Sequence, residues 1–309
     1  MSASLDTGFG LDHDIQVGTK CPPAEDQSSD RQDPASELFD RAAAEIPADF
    51  KYPFLTPTRL RNKLRKMQDQ QENTTVRLLV TGVDEEGVEA ATRTLPFRRS
   101  VRVWYESDVD SAIIKFMPSA MHEITASLFC TAVTSTTAQL PGHNYRSLIP
   151  VGATKFSCPG KRSKEGDEGL RCRTRTGAAA WPNLMFEVGY SESIRQLRLD
   201  AQWWLFASGR RTRMVILIKA RDRPANALHL EVWRFLPNPD AQRTRRAPSH
   251  LPTITQTIDI DAAGVVAPAG ALTLPYADLF DVANINAADV VFSSAELSTL
   301  ALEIFVQSA

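Results

Sequence analysis

The spacing of apolar residues changes several times along the chain, and each change predicts a different element. Residues 36–46 and the segment after Pro57 repeat apolar side chains at helical spacing. Residues 75–83 and 99–106 instead alternate apolar and polar side chains, as half-buried strands do. Helical spacing returns over 119–140. We therefore expect two short helices, a region of strands and then one long helix.

The middle of the chain predicts a sheet with helices packed against it. After the long helix, the pattern predicts strands at 147–157, 166–173 and 183–190, a helix at 193–207, and strands at 212–220 and 227–235. The run MVILIK at 214–219 is continuously apolar, as is typical of central strands covered on both faces. The sequence therefore predicts an α/β (α+β) fold with a mixed central sheet flanked by helices.

Composition and element order divide the chain into four predicted segments. Residues 1–35 have almost no apolar periodicity and are rich in Asp, Ser and Gln, which predicts a disordered acidic leader. Residues 36–74 are predicted to form a helical N-terminal extension, and 75–250 the core domain. Residues 251–309 are expected to form a C-terminal extension packed on the core, ending in a helix over 294–307.

Charge is distributed unevenly along the chain. The net charge is −2, yet residues 1–50 carry eleven acidic and three basic side chains, so that 51–309 is net +6. This excess permits a nucleic-acid partner. No run of about 18 apolar residues and no secretory signal is present, and the four cysteines do not have the spacing of a disulfide framework. We expect an intracellular protein, cytoplasmic or nuclear, without membrane association.

Two acidic residues on neighbouring predicted strands are the strongest candidates for chemistry. Asp167 begins one strand, and Glu187 lies inside the next among apolar neighbours, where its charge needs a partner or a metal. Carboxylates that meet at one end of a sheet suit Mg²⁺ or Mn²⁺, which polarises a phosphodiester and helps to generate hydroxide. The alternative is a buried Glu187 that is paired with Arg171 or Arg173.

Basic residues surround Asp167 and form the best candidate for phosphate binding. A solvated hairpin is the alternative for this cluster, which consists of Lys161, Arg162, Lys164, Arg171, Arg173 and Arg175. The helix after Pro57 also has a basic face, for which contact with phosphate or with the acidic leader competes with an ordinary solvated surface. Trp203 and Trp204 are expected to pack in the core in preference to stacking on bases.

Several motifs resemble one group of known proteins. They are HE at 122–123, GATKF at 152–156, RSKEGD at 162–167, WPNLMFEVGYSES at 181–193 and LDAQWWL at 199–205. Over about residues 118–235 the chain resembles fungal proteins with a restriction-endonuclease-like fold, which belong to the PD-(D/E)XK superfamily. The resemblance implies an αβββαβ core and hydrolysis of phosphodiester bonds in DNA. It also implies metal binding by Asp167 and Glu187, with assistance from Glu123.

The same resemblance implies a catalytic lysine that is absent from both of its usual positions. Gly189 stands two residues after Glu187, and Trp204 stands four residues after Asp200. Losing a preorganised cation could cost on the order of 10²-fold in rate. Lys155 and Lys164 lie nearest in sequence and are the predicted catalytic substitutes. The residues assigned to substrate binding are Arg162, Arg171, Arg173 and Ser191.

Three functions follow from these observations. The first is a Mg²⁺- or Mn²⁺-dependent nuclease acting on DNA, impaired by the missing lysine. The second is a non-catalytic protein that binds nucleic acid or another protein, with salt-sensitive binding that survives the loss of Glu187. The third is a small-molecule enzyme of fungal metabolism, which requires a closed apolar pocket beside Glu187. The oligomeric state stays open, a homodimer included.

Overall fold

A computed structural model describes most of the chain after residue 32. The described residues are 33–70, 75–117, 120–158, 161–177, 180–221, 226–240, 248–282 and 287–307. Residues 33–309 cluster as one unit, and the predicted leader lies outside the described residues except for its last three positions. Those three are not a leader, because Asp33 caps a helix and Ala35 is buried in it.

Within these ranges the chain forms seven α-helices and fifteen strands. The helices are α1 (Pro34–Ala44), α2 (Pro57–Gln70), α3 (Glu85–Thr92), α4 (Ala120–Ala138), α5 (Ile194–Ala207), α6 (Tyr276–Phe280) and α7 (Ser294–Gln307). The strands are β1 (Lys51–Pro53), β2 (Val76–Thr81), β3 (Val101–Glu106), β4 (Ser111–Phe116), β5 (Leu148–Pro150), β6 (Lys155–Cys158), β7 (Arg162–Glu165), β8 (Glu168–Cys172), β9 (Leu184–Gly189), β10 (Met214–Arg221), β11 (Ala227–Pro237), β12 (His250–Ile260), β13 (Val266–Ala267), β14 (Leu272–Leu274) and β15 (Val290–Phe292).

Most strands belong to two large sheets. Sheet A has the order β1-β2-β4-β3-β7-β6, and sheet B has the order β13-β12-β11-β10-β9-β8-β5. In sheet B, β5, β8 and β9 are successively antiparallel, whereas β9 and β10 are parallel and α5 connects them. The predicted mixed α/β fold is therefore confirmed.

Three apolar cores hold the helices against the sheets. One core joins α4 and α7 to one face of sheet B, and a second joins α1 and α5 to its other face. Leu79, Ile113 and Trp104 of sheet A also belong to the second core, while α2 and α3 cover the opposite face of sheet A. Sheet A is therefore covered on both faces. None of the described helices has the length and apolar character needed to cross a bilayer.

The prediction that β2 and β3 are half-buried was wrong. Their alternation separates two interiors: Leu78 and Val103 pack beneath α2 and α3, whereas Arg77 and Arg102 lie in the other interior and are each 7% exposed. Alternation shows only that the two faces differ chemically, because a polar side chain can face a second buried layer as well as water.

Two predicted boundaries were also wrong. The single strand expected at 147–157 is two strands in different sheets, because Gly152 has a φ of 56° and turns the chain between β5 and β6. The expected C-terminal extension also supplies β12 of sheet B, which pairs with β11 from Leu228 to Pro237, and α7 packs on α4. The segment from 251 onwards is therefore part of the main fold.

Candidate functional site

Three buried cations stand side by side across sheet A. In the β2-β4-β3 order, Arg77 lies opposite Lys115, and Arg102 lies opposite Lys115 on the other side. Like charges directly opposite each other destabilise a sheet unless opposite charges compensate them. The row therefore requires carboxylates on the layer that faces it.

Four buried carboxylates provide that compensation. Asp167 lies in the turn between β7 and β8, Glu187 in β9, and Glu192 just before α5. Asp200 projects from α5, whose start is held by reciprocal capping between Ser193 and Gln196. We call the assembly the buried charge cluster; it comprises Arg77, Arg102, Lys115, His122, Lys164, Asp167, Glu187, Glu192 and Asp200.

Asp167 is surrounded by one backbone N–H and three basic side chains. Its Oδ2 lies 2.9 Å from His122 Nε2, accepts the Val188 N–H at 2.9 Å, and lies 3.4 Å from Lys115 Nζ. Its Oδ1 lies 3.6 Å from Arg102 Nε. Burial opposes ionisation, but His122 and Lys115 outweigh burial and hold the pKa of Asp167 well below its usual range.

Glu187 is also buried, but its pKa is shifted in the opposite direction. Its side chain is 2% exposed, and its Oε1 accepts a hydrogen bond from the Trp204 indole and lies 3.6 Å from Lys164 Nζ. Burial raises the pKa of Glu187 to about 8, against the opposing attraction of Lys164. Glu187 therefore carries a proton at neutral pH in this environment.

Lys164 and Arg77 connect α5 to sheet A. Lys164 Nζ lies 2.5 Å from Asp200 Oδ1 and 4.8 Å from the centre of the Trp104 ring. Arg77 bonds Glu192 at 2.6 Å and Asp200 at 2.5 Å. Burial opposes the ionisation of Asp200, but Arg77 and Lys164 outweigh burial and lower the pKa of Asp200 to about 2. The structure thus brings Lys164 to Glu187, whereas Arg171 and Arg173, the partners considered from sequence, stand elsewhere.

Packing leaves little room for a side chain at Gly189, where the sequence resemblance implies a lysine. A Cβ on Gly189 would lie 2.4 Å from the buried Leu197 side chain. A Cβ on Gly166 would lie 2.2 Å from Met185 and 2.9 Å from Trp204. Trp203 and Trp204 are both fully buried, as expected.

Lys155 is not part of the cluster, contrary to expectation. Its ammonium pairs with Glu85 at 3.0 Å and with Glu89, both on α3, and its side chain is 34% exposed. Lys155 follows the turn at Gly152 into β6 of sheet A, which directs it to α3. Proximity in sequence to Asp167 was therefore misleading.

The predicted phosphate-binding segment is largely neutralised by the protein itself. Arg162 is buried and pairs with Asp33 at 2.9 Å and Glu106 at 3.2 Å. Arg171 donates to the Gly177 carbonyl at 3.0 Å, and Arg173 is exposed. Ser191 is exposed, but its hydroxyl accepts the Thr75 N–H at 2.7 Å. These residues do not converge on one surface.

Two neighbouring cavities that Asp167 lines differ in whether they reach Glu187. The smaller cavity has a volume of about 20 Å³, which is room for about one water, and Asp167 and Glu187 both line it. The open cleft has a volume of about 260 Å³ and is lined by Asp167, Glu123, His122 and Arg102, without Glu187. A ligand in the cleft therefore has access to Asp167 but not to Glu187.

The arrangement does not fit a divalent metal held by Asp167 and Glu187. Arg102, Lys115 and Lys164 already lie within 3.6 Å of the carboxylate oxygens, so that an added Mg²⁺ or Mn²⁺ would be placed among fixed positive charges. Within the described residues, no three His, Cys, Asp or Glu side chains are grouped to hold a metal.

Sequence reasoning missed the cations that face these carboxylates. The alternating pattern predicts that Arg77 and Arg102 lie on the solvent side of half-buried strands. No strand is predicted around Lys115. The available signal was one cation in each of three short, otherwise apolar segments, VRLLV, VRVWY and AIIKF.

The chain matches no protein-family model, and no curated protein matches it.

Proposed function

We propose that this protein uses a restriction-endonuclease-like scaffold to bind nucleic acid without metal-dependent cleavage. Sheet B and the helices packed on it follow the chain order α4, β5, β8, β9, α5 and β10, with β6 and β7 of sheet A inserted between β5 and β8. Apart from that insertion, the series is consistent with the αβββαβ order that the sequence resemblance implies. The positive charge around the two acidic side chains carries the proposal: protein cations already lie beside both carboxyl groups that a metal would need.

Substrate access also argues against cleavage at this pair. A scissile phosphodiester must approach both carboxylates through their shared metal ions. Here the space common to Asp167 and Glu187 holds about one water, and four cations from sheet A border it. Opening this space would break several buried ion pairs, each of which leaves a costly unpaired charge.

Binding and cleavage assays on the same samples test the proposal. Fluorescence anisotropy with labelled duplex DNA, single-stranded DNA and RNA is measured with EDTA, Mg²⁺ or Mn²⁺, and the same mixtures are analysed for cleavage on gels. We expect metal-independent, salt-sensitive binding that is unchanged in Glu187→Gln. Cleavage by the wild type that disappears in Glu187→Gln, or no binding to any nucleic acid, would refute the proposal.

A nuclease with a displaced lysine is the second candidate, and the position of Lys164 favours it. Its ammonium reaches Glu187 Oε1 at 3.6 Å from β7, and Asp167 borders an open cleft that also contains Glu123. This candidate predicts cleavage that is lost in Lys164→Met as well as in Glu187→Gln. The small-molecule alternative lacks its required pocket, because Trp104, Trp203 and Trp204 fill the space around Lys164 near Glu187.

A further inference from the structure

Helix α2 has one apolar face and is otherwise strongly basic. Leu60, Leu64 and Met67 are buried beneath sheet A, and the opposite side carries most of the polar residues. Arg59, Lys63 and Lys66 recur at intervals of four and three residues, so that they form a stripe about 10 Å long on one side of the helix. We call these three residues the α2 stripe.

The α2 stripe differs from the buried charge cluster in having no carboxylate partner. The cations of the cluster are paired with carboxylates, and so are Arg162 and Lys155. In the part of the chain that the structure describes, no acidic side chain pairs with the stripe. Like charges spaced this way cost a helix about 0.2–0.5 kcal/mol per pair, so folding alone does not account for them.

The helix is also fixed in place. Arg61, on the flank, donates to the carbonyls of Ala90 at 2.5 Å and Ala91 at 3.3 Å at the end of α3. Together with the buried apolar face, these bonds anchor α2 and hold the stripe in one orientation. A rigid row of cations suits a ligand that carries regularly repeated negative charges.

We propose that the α2 stripe binds the phosphodiester backbone of nucleic acid. The inference rests on the proposed function and names the surface that performs it. A nucleic-acid strand presents closely spaced phosphates, so three cations over about 10 Å can contact neighbouring groups along one strand. Contacts of this kind position the protein without reading bases, so the binding is independent of sequence.

A matched pair of triple variants of the full-length protein tests the inference. The first variant is Arg59→Gln/Lys63→Gln/Lys66→Gln. The control, Arg41→Gln/Arg146→Gln/Arg221→Gln, removes the same charge from exposed residues elsewhere on the protein. Far-UV circular dichroism and thermal melting establish that both variants fold like the wild type. Anisotropy with labelled duplex DNA is then measured from about 50 to about 200 mM salt.

We expect the α2 variant to bind on the order of 10²-fold more weakly, with the slope of log K against log salt reduced by about 2–3. The control should stay within about threefold of the wild type. Equal losses in the two variants, or wild-type affinity in the α2 variant, would overturn the inference and leave nucleic-acid binding in place. A wild type that binds anionic phospholipid vesicles but no nucleic acid would overturn the inference and the proposed function together.

Discussion

Glu187 is an acidic residue whose carboxyl group is kept protonated near neutral pH by burial. Its apolar neighbours on β9 made burial predictable, but the partners that accompany burial were not. The Trp204 indole and the Lys164 ammonium take the place of the metal expected from sequence. At this residue, one pattern of apolar neighbours is compatible with a metal ligand and with a member of a charge network.

The protonation of Glu187 predicts that stability falls as pH rises. The pKa of Glu187 is about 8 in the folded protein and about 4.3 when unfolded, so the folded state binds the extra proton between these values. Its contribution is present below about pH 4 and is lost as pH rises through 8. In Glu187→Gln, the decline in the free energy of unfolding between about pH 5 and 8 should be smaller than in the wild type by on the order of 1–3 kcal/mol, measured by urea unfolding.

The same titration in the wild type is the reference for this variant. Burial raises the pKa of Glu106 to about 7, so some decline with pH should persist in Glu187→Gln. Parallel curves for the two proteins would show that Glu187 is ionised in the folded state throughout this range.

Gly189 stands where the sequence resemblance implies a lysine, and packing against Leu197 leaves little room for a side chain there. Gly189→Ala should destabilise the protein by about 1–3 kcal/mol, because a Cβ would lie 2.4 Å from Leu197. Combining it with Leu197→Ala should cost less than the sum of the single changes. Gly270→Ala is the matched control, since a Cβ there meets no atom within 4 Å. Equal effects at Gly189 and Gly270 in denaturant melts would contradict the packing explanation.

At the level of elements, the cluster joins sheet A to the α5 side of sheet B. β2, β3 and β4 contribute the row of cations, and β9 and α5 contribute facing carboxylates. Trp104 of β3 and Trp203 of α5 pack at 6.0 Å between ring centres beside the same ion pairs. Apolar contact and charge pairing therefore occur together where the two sheets meet.

Arg77 should be costly to remove, because it bonds two buried carboxylates at 2.6 and 2.5 Å. Arg77→Met leaves Glu192 and Asp200 without that partner and should destabilise the protein by about 3–5 kcal/mol. Arg195→Met is the control: Arg195 is 72% exposed and pairs only with Glu45, so the expected cost is about 1 kcal/mol or less. Similar midpoints for the two variants in urea melts would mean that the cluster contributes little to stability.

At the scale of the whole molecule, residues far apart in sequence complete the same layers. β12 pairs with β11 along most of its length, and α7 lies against α4 in the core on one face of sheet B. The C-terminal segment therefore cannot be separated from the preceding domain at residue 250.

A chain that ends at residue 250 should consequently fail to unfold cooperatively. It would expose the edge of β11 and the apolar surface of α4 that α7 covers. Thermal melts followed by near-ultraviolet circular dichroism should show a lost or broad transition, whereas a chain ending at Gln307 should melt like the full-length protein. A sharp transition in the shorter chain would show that cooperative unfolding does not require residues 251–309.

Local pattern was sufficient for the elements whose signals lie within one segment. Helix α5 was expected at 193–207 and occurs at Ile194–Ala207, because a capping sequence and apolar spacing lie together there. The apolar run MVILIK was expected to be central and is β10. The final helix was expected at 294–307 and occupies Ser294–Gln307. Each signal depends on neighbours only a few residues apart.

Local sequence was enough to predict the mixed α/β class, most central elements, and the burial of Glu187, Trp203 and Trp204. The partners of those residues depend on the tertiary fold. Arg77 and Lys115 meet through strand register, and Lys164 reaches Glu187 from another sheet. A polar position in an alternating strand faces water or a second core depending on what packs over it. That choice is made by contacts between segments far apart in the chain, which no local pattern records.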